Sequence, residues 1–437
     1  MMESRVETRA DRGLRAGYAK VDVTPTGPVM MGGYDLRGSA SEGVHEGDRL
    51  YVRALVFADV ETAVAFIEAD LILLRGVDIF RRRVSETTGI PFDHVLIGDT
   101  HNHAAPSPHP DGGTEWERLF ADALLSAATT AASNLVPVRI TAGAGKSRVG
   151  MNRRFRLPAD SWSPTTFDEN FCSQTFGKFA TPNPADILAP QGVVRLGANP
   201  EGPIDDEVQV VRVDRLDGSP LAALIHYACH GTSLGGRNMK VSGEWMGRMM
   251  AYVEDHVPGV GAMFVQGAAG DINPRVVGGL DGYADDVNIT WALGEEIGAE
   301  VVRIHRNLGA SPPEDALPST GPIEVRTREI LLPRTYRELF EDLAATAVSA
   351  PTTAVRLAGM MWVTFPGEMF HAIGQRVKAV CPAAHAHVMG YTNGYIGYFP
   401  EQRAFAEGGY ETAVSHLDPV AEQTYMREIA ALMREFH

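Results

Sequence analysis

The sequence predicts an α/β protein in which mixed β-sheets are flanked by helices and the active site lies at the carboxyl ends of the strands. Short apolar runs rich in β-branched residues alternate with longer segments of helical periodicity. Five of these runs end in polar or glycine-rich loops that carry His, Asp, Asn, Glu or Tyr. Such loops at strand ends commonly line a single crevice. The loops begin at Asp99, His230, Gln266, Gly367 and Tyr391.

The composition argues against several classes of function and partner. The 437 residues are 44% hydrophobic and 22% charged, which is typical of a globular protein. A formal net charge of −16 argues against nucleic acid or an anionic membrane as the main partner. Three cysteines without a C-x-x-C pair argue against a disulfide framework. No stretch reaches the roughly 20 apolar residues of a membrane span. Residues 1–15 lack the apolar core of a secretory signal, so we expect a cytoplasmic protein without an integral membrane segment.

The elements follow from apolar periodicity and from the turn residues that bound each run. We predict strands at 16–23, 51–58, 62–67, 95–97, 138–144, 192–196, 208–213, 221–229, 262–265, 323–332, 358–365 and 386–389. The second and third of these strands would form a hairpin across residues 59–61. We predict helices at 77–87, 116–135, 245–256, 284–307, 337–348, 368–379 and 419–436.

The domain organisation is predicted to be simple. Residues 1–15 would form a flexible arm and residues 16–437 a single catalytic domain, with the Pro-rich segment 312–322 as a candidate internal boundary. Residues 155–188 have little periodicity, and we interpret them as an active-site lid or, alternatively, as a plain insertion.

Two histidines mark the end of the strand at 95–97. If the chain stays extended, His101 and His103 point to the same face, because side chains alternate along a strand. A surface loop with two incidental histidines is the alternative. His230 and Glu368 follow other predicted strands, and two histidines with one carboxylate suit a catalytic zinc ion that keeps a position open for water.

The ordered set of motifs resembles the catalytic domain of the neutral, non-lysosomal ceramidase family. That family carries His-Thr-His, Asn-Arg-Ser-Pro, His-Pro-Thr-Ser-Met, Gly-Asp-Val-Ser-Pro-Asn, Pro-Gly-Glu and Asn-x-Tyr-x-x-Tyr motifs, and a Tyr-Glu pair twelve residues further on. The corresponding residues here, in the same order between about 17 and 415, are His101-Asn102-His103, Asn152-Arg153, His230-Gly231-Thr232-Ser233-Leu234, Gly270-Asp271-Ile272-Asn273-Pro274, Pro366-Gly367-Glu368, Asn393-Gly394-Tyr395-Ile396-Gly397-Tyr398 and Tyr410-Glu411.

The resemblance implies a Zn²⁺-dependent hydrolase that cleaves an amide bond by metal-activated water. Its substrate would be a ceramide-like N-acyl compound or a smaller amide, which places the protein in lipid and sphingolipid metabolism. The implied zinc ligands are His101, His230, Glu368 and Tyr398.

The resemblance also implies roles for residues around the ion. His103 and Arg153 would hold the water or a substrate oxygen, and Tyr410 would donate its hydroxyl to the oxyanion that develops in the transition state. Glu411 would orient the loop of Tyr410. Asp271 would accept a ring N–H from a ligand histidine, or would merely form a Gly-Asp turn.

Three departures from the family pattern carry expectations. Asn273 replaces an active-centre serine, which predicts altered substrate contacts or mechanism. Arg154 is expected to add positive charge near the mouth of the site. The sequence ends soon after the catalytic domain, so we expect a short member without the immunoglobulin-like C-terminal domain of longer relatives.

Two other functions stay open. Asp99, His101, His103, His230 and Asp271 could form a two-metal phosphoesterase or lactonase centre. Alternatively, the protein binds a ligand at a metal site without catalysis. The absence of a G-x-G-x-x-G after a strand argues against a nucleotide-dependent oxidoreductase. The sequence does not decide whether the chain forms a homo-oligomer.

Overall fold

The computed structural model of the protein describes residues 13–34, 37–109, 112–157, 188–189, 192–277, 286–310, 321–335 and 346–436. This part of the chain forms several mixed β-sheets flanked by helices, which confirms the predicted α/β class. The strands are β1 Arg15–Asp22, β2 Tyr51–Ala58, β3 Ala63–Ala69, β4 Val95–Asp99, β5 Val136–Lys146, β6 Gly150–Leu157, β7 Leu188–Ala189, β8 Gly192–Asn199, β9 Glu207–Arg215, β10 Pro220–Tyr227, β11 Gly261–Gln266, β12 Ile272–Pro274, β13 Glu324–Pro333, β14 Ala347–Leu357, β15 Met360–Thr364, β16 Glu368–Met369, β17 His385–Met389 and β18 Tyr398–Phe399.

The helices pack around these sheets. They are α1 Val77–Thr88, α2 Glu115–Ser133, α3 Glu244–His256, α4 Val287–Ala310, α5 His371–Val380, α6 Gln402–Glu407, α7 Tyr410–Val414 and α8 Ala421–Met433. Helix α2 begins at Thr114 with a capping box in which Thr114 and Glu117 bond each other's backbone N–H. It lies so close to β1 that a Cβ on Gly17 would stand 2.1 Å from the carbonyl oxygen of Ala131. No helix of the described residues is both long and apolar enough to cross a bilayer.

The largest sheet has eight strands in the order β11-β10-β9-β5-β1-β2-β3-β4. Its neighbours run antiparallel except for the outer pairs β3–β4 and β10–β11, which are parallel. The edge strands β4 and β11 contact each other, so the sheet curls strongly. A four-stranded sheet, β13-β14-β15-β17, packs against one of its faces. Trp362 of β15 lies edge-on to Phe66 of β3, with ring centroids 5.3 Å apart.

This curl brings the loops after β4 and β10 side by side. Asn102 and Gly231 pair as an isolated parallel bridge. The Gln266 side chain, at the end of β11, donates to the carbonyls of Thr100 and Cys229 at 3.2 and 2.8 Å. It also accepts from the backbone N–H of Cys229 at 3.2 Å. One buried amide therefore ties the two histidine-bearing loops together.

Most predicted elements are present, but β14 was missed. The helix predicted at 337–348 is wrong at its end, because Ala347 and Val348 open β14; residues 336–345 lie outside the described part. The segment 347–357 contains Ser, Thr and Pro351 rather than an apolar run, and its pairing with β13 over ten residues supplies the missing context. The strand predicted at 358–365 starts at Met360, because Ala358 turns the chain in a left-handed conformation.

Several predictions fall largely outside the described residues. Of the arm predicted at 1–15, only residues 13–15 are described, and Arg15 begins β1. Of the lid predicted at 155–188, residues 158–187 are not described, while the flanks belong to β6 and β7. The boundary proposed at 312–322 lies mostly in the undescribed segment 311–320.

Candidate metal centre

His101 and His230 stand at the ends of β4 and β10 with their rings fixed by backbone carbonyls. The Nδ1 of His101 is 3.0 Å from the carbonyl oxygen of Ile72, and the Nδ1 of His230 is 2.7 Å from that of Ala269. Because a carbonyl can only accept, each ring proton lies on Nδ1 and each Nε2 presents a lone pair. The two rings are therefore oriented as metal-binding histidines usually are.

The coordinating atoms converge. His101, His103 and His230 each bring one ligand atom within 4.8 Å of the others. The Nε2 atoms of His101 and His103 are 3.2 Å apart. Strand β16 adds Glu368, whose Oε2 is 2.9 Å from Nε2 of His230 and 3.6 Å from Nε2 of His101. Three imidazole nitrogens thus converge in the interior, and the Glu368 carboxylate lies beside two of them.

The electrostatics of this group favour a cation. Burial, and then the neighbouring Arg153 guanidinium, lower the pKa of His230 to about 4. Burial and the adjacent His101 and His230 rings lower the pKa of His103 well below its usual value. Burial alone would raise the pKa of Glu368, but His101 and His230 lower it well below its usual value. Near neutral pH, His103 and His230 consequently offer unprotonated imidazole nitrogens, and Glu368 offers an anionic oxygen.

Tyr398 and Arg153 form the next part of the site. Tyr398 of β18 pairs in parallel with Glu368, and its side chain is buried. The Arg153 guanidinium lies 5.3 Å from the centre of the Tyr398 ring, and its Nη1 is 3.2 Å from Nε2 of His230. Burial raises the pKa of Tyr398 well above its usual value, even though Arg153 opposes the shift. The Tyr410 ring lies 5.6 Å from that of Tyr398.

Comparisons with known proteins find similarity in sequence and in fold. No family model matches the chain. Its sequence is 23% identical to neutral ceramidase A of Dictyostelium discoideum in an alignment over 413 residues that covers 84% of this chain and 52% of that protein. The crystal structure of neutral ceramidase from Pseudomonas aeruginosa superposes with a TM-score of 0.71 at 17% identity, covering 96% of this chain and 74% of that one. A ceramidase complexed with C2 gives a TM-score of 0.71 at 16% identity, covering 97% and 75%.

The chain is similar to the neutral ceramidases. Its fold is the neutral ceramidase fold, and it spans about half the length of the curated relative it matches. The resemblance drawn from the ordered motifs is confirmed. The ligand set and the catalytic roles that the resemblance implies stay predictions.

In this chain, Asn273 contacts Arg153 rather than the converging donors. Its Oδ1 accepts from Nη1 of Arg153 at 3.2 Å and from the Thr232 hydroxyl at 3.4 Å. Asn273 therefore helps to hold the guanidinium that faces His230.

The expectation that Arg154 adds charge at the mouth of the site is wrong. Arg154 is buried, and its Nη1 lies 2.8 Å from Oε2 of Glu411. The other carboxylate oxygen of Glu411 accepts from Nε of Arg153 at 2.8 Å. The sequence could not show this pairing, because it depends on how α7 packs against β6.

Asp271 does not accept from a ligand histidine. The nearest imidazole is that of His371, whose Nδ1 lies 2.6 Å from Oδ2 of Asp271. Oδ1 of Asp271 accepts from the His371 backbone N–H at 2.9 Å, at the start of α5. The ligand histidines use backbone carbonyls instead, so the predicted partner of Asp271 is corrected.

The geometry does not support the two-metal arrangement. Asp99 lies beside Nδ1 of His101, at 4.0 Å, on the ring edge opposite the converging nitrogen. Asp271 is engaged by His371. Within the described part of the chain, three histidines form a cluster that could hold an ion, and neither Asp99 nor Asp271 belongs to it.

Sequence reasoning assigned no role to several residues around the site. The Tyr395 hydroxyl is 2.5 Å from Oε1 of Glu368. The Tyr391 ring stacks on His101 at 4.1 Å, and the Tyr34 ring stands edge-on to His103 at 5.0 Å. The one usable signal was the density of tyrosines, three within residues 391–398.

Proposed function

We propose that this protein is a zinc-dependent hydrolase that cleaves the amide bond of an N-acyl substrate, either lipid-like or smaller. The observation that carries the proposal is the convergence of His101, His103 and His230, with Glu368 beside two of them and with the ring protons of His101 and His230 fixed on Nδ1. The ceramidases that the chain resembles support an amide as the bond broken.

The donor set fits zinc. Imidazole nitrogens with a carboxylate oxygen are typical ligands of catalytic zinc. We propose His101, His230 and Glu368 as ligands, with Tyr398 as the fourth by resemblance. When bound, zinc lowers the pKa of a coordinated water to about 7 and polarises a carbonyl group.

We propose that the side chains around the metal site bind the substrate and take part in the reaction. Nε2 of His103 lies 3.2 Å from Nε2 of His101, so we propose that His103 holds the attacking water or a substrate oxygen. The Nη2 of Arg153 is buried and has no hydrogen-bond partner among the described residues. We propose that it donates a hydrogen bond to a substrate oxygen, and that the Tyr410 hydroxyl donates to the oxyanion that develops during attack.

Metal content and turnover test this function together. The protein should bind about one zinc ion per chain and hydrolyse N-acylsphingosines or short N-acyl amides. His230→Ala should reduce the bound zinc and lower kcat/KM by at least about a thousandfold, because it removes a ligand whose ring is fully buried at the centre of the site. Elemental analysis and product release measure the two effects.

His256→Ala is the matched control, since His256 is an exposed histidine on α3 and lies outside the site. It should keep both zinc and activity. Full activity of metal-free protein would contradict the proposal. Tight zinc binding without turnover of amides or esters would instead favour a ligand-binding protein.

A further inference from the structure

Arg154 forms hydrogen bonds with the loop that carries Tyr410, one before that residue and one after it. Its Nη2 lies 2.8 Å from the carbonyl oxygen of Gly408, and its Nη1 lies 2.8 Å from the carboxylate of Glu411. Gly409 between them has φ 104, and a Cβ there would approach Nη1 of Arg154 to 3.1 Å. A single guanidinium therefore sets the path of residues 408–411.

The same contacts extend to the centre of the site. Glu411 is almost fully buried and joins Arg154 to Arg153, accepting from one guanidinium with each oxygen. Arg153 in turn reaches Nε2 of His230 and Oδ1 of Asn273. Paired charges with low exposure hold their geometry more strictly than exposed ion pairs, because breaking one leaves an uncompensated buried charge.

We propose that Arg154 is a positioning residue, which acts through Glu411 and Gly408 to set both the Tyr410 loop and the Arg153 guanidinium. The role in turnover rests on the function proposed above. Arg154 itself would touch neither the substrate nor the metal. Its loss should therefore misplace two substrate-facing groups while leaving the histidines and Glu368 in place.

Arg156 offers a matched comparison. It lies two residues further along β6, so the two side chains leave the same face of the strand. Arg156 is partly exposed and pairs with Glu407 at 2.8 Å, without contact to Glu411. Replacing Arg156 removes the same charge from the same strand but leaves the Glu411 bridge intact.

A cavity of about 310 Å³ borders this network and is lined by Arg154, Arg156 and Glu407, among others. It is large enough for a guanidinium ion to enter once the Arg154 side chain has been shortened. Chemical rescue therefore becomes a readout that general destabilisation would not give.

The first experiment compares Arg154→Ala with Arg156→Ala in the zinc-loaded protein. We expect Arg154→Ala to lower kcat about 10- to 100-fold with KM changed less than about threefold, because small misplacement of reacting groups is costly. Zinc content should stay at the wild-type level. Millimolar guanidinium should restore much of kcat for Arg154→Ala and leave Arg156→Ala, already near wild type, unchanged. Unchanged kcat for Arg154→Ala, or loss of its zinc, would overturn the proposal.

The second experiment does not need turnover. Hydrogen–deuterium exchange of residues 404–414 in the metal-free protein should be faster in Arg154→Ala than in Arg156→Ala, and guanidinium should slow it again. Arg154→Lys, which keeps one donor group near the loop, should exchange at an intermediate rate and serves if the alanine variant does not fold. Wild-type exchange in the Arg154 variants would refute the positioning role. If wild-type protein shows the protection but no amidase activity, the proposed function fails while the role of Arg154 in the loop stands.

Discussion

At the scale of single residues, Tyr395 completes the surroundings of Glu368. One carboxylate oxygen faces His101 and His230, and the other accepts from the Tyr395 hydroxyl at 2.5 Å. A ligating carboxylate with a fixed second oxygen has less rotational freedom to lose when an ion binds. We therefore expect Tyr395 to influence metal binding through Glu368 without contacting the ion.

Removing that hydroxyl should weaken metal binding. We expect Tyr395→Phe to fold normally and to bind zinc about 10- to 100-fold less tightly, since loss of such outer contacts has effects of this size. Competition with a chromophoric chelator measures the affinity. Tyr252→Phe, on the outer helix α3, is the control and should bind zinc as the wild type does. Equal affinity of the two variants would show that the Tyr395 contact has no influence on the ion.

Some site residues could be predicted from the sequence, whereas some of their contacts could not. His101, His230 and Glu368 were found because each follows an apolar run at a place where loops line a crevice. The partners of Arg154 and Asp271 were not predicted. Glu411 lies 257 positions from Arg154, and His371 lies 100 positions from Asp271. Local patterns carry no information about pairings at that separation.

At the scale of elements, helix α5 is anchored by a buried ion pair at its first residue. Asp271 binds both the ring and the backbone N–H of His371. Burial would lower the pKa of His371, but Asp271 outweighs it and raises that pKa. Burial would likewise raise the pKa of Asp271, yet His371 lowers it. The pair thus stabilises the start of the helix that follows Glu368.

This pair gives stability a defined pH dependence. The raised pKa of His371 means that its contribution is complete below the unfolded value of about 6.5 and is lost as pH rises through the folded value. The lowered pKa of Asp271 means that its contribution is present above about 3.9 and is lost as pH falls through the folded value. The contribution is therefore largest between these limits.

We expect His371→Gln to reduce the free energy of unfolding by about 3 kcal/mol at about pH 5.5, and by clearly less at about pH 9. Urea unfolding of metal-free wild type and variant at both pH values measures the difference. A loss that is independent of pH, or larger at pH 9, would contradict a charged His371–Asp271 pair.

Elements with strong apolar periodicity were predicted well, and those that depend on a partner strand were not. Helices α1, α2 and α3 lie within two residues of their predicted bounds. Strand β14 has small and polar residues along its length, and it becomes a strand by pairing with β13 on one side and β15 on the other. No local signal distinguishes such a segment from a helix or a loop.

At the scale of the whole molecule, the proposed metal site joins parts of the chain that are far apart in sequence. His101 and Glu368 belong to segments that pack in different hydrophobic clusters, one around β2, β3 and α2 and the other around α5 and α8. An ion that binds only the folded protein stabilises all of these parts together by mass action.

Zinc should accordingly raise the melting temperature of the entire protein. At a hundredfold excess over its dissociation constant, the gain is about 2.7 kcal/mol, or about 3 °C for a chain of this length. Calorimetry with and without zinc measures the shift, which His230→Ala should abolish and His256→Ala should retain. A shift that survives in His230→Ala would place the bound zinc elsewhere. Cytoplasmic location stays a prediction, and the oligomeric state stays open.

The Gln266 side chain has a consequence for the speed of loading. Its amide forms hydrogen bonds with the loops of both His101 and His230. The metal-ligand atoms are therefore held in place before an ion binds. The rate of zinc binding should then be limited by the loss of water from the hydrated ion. A variant such as Gln266→Leu should bind zinc more slowly, because its two loops must first adopt the right relative position.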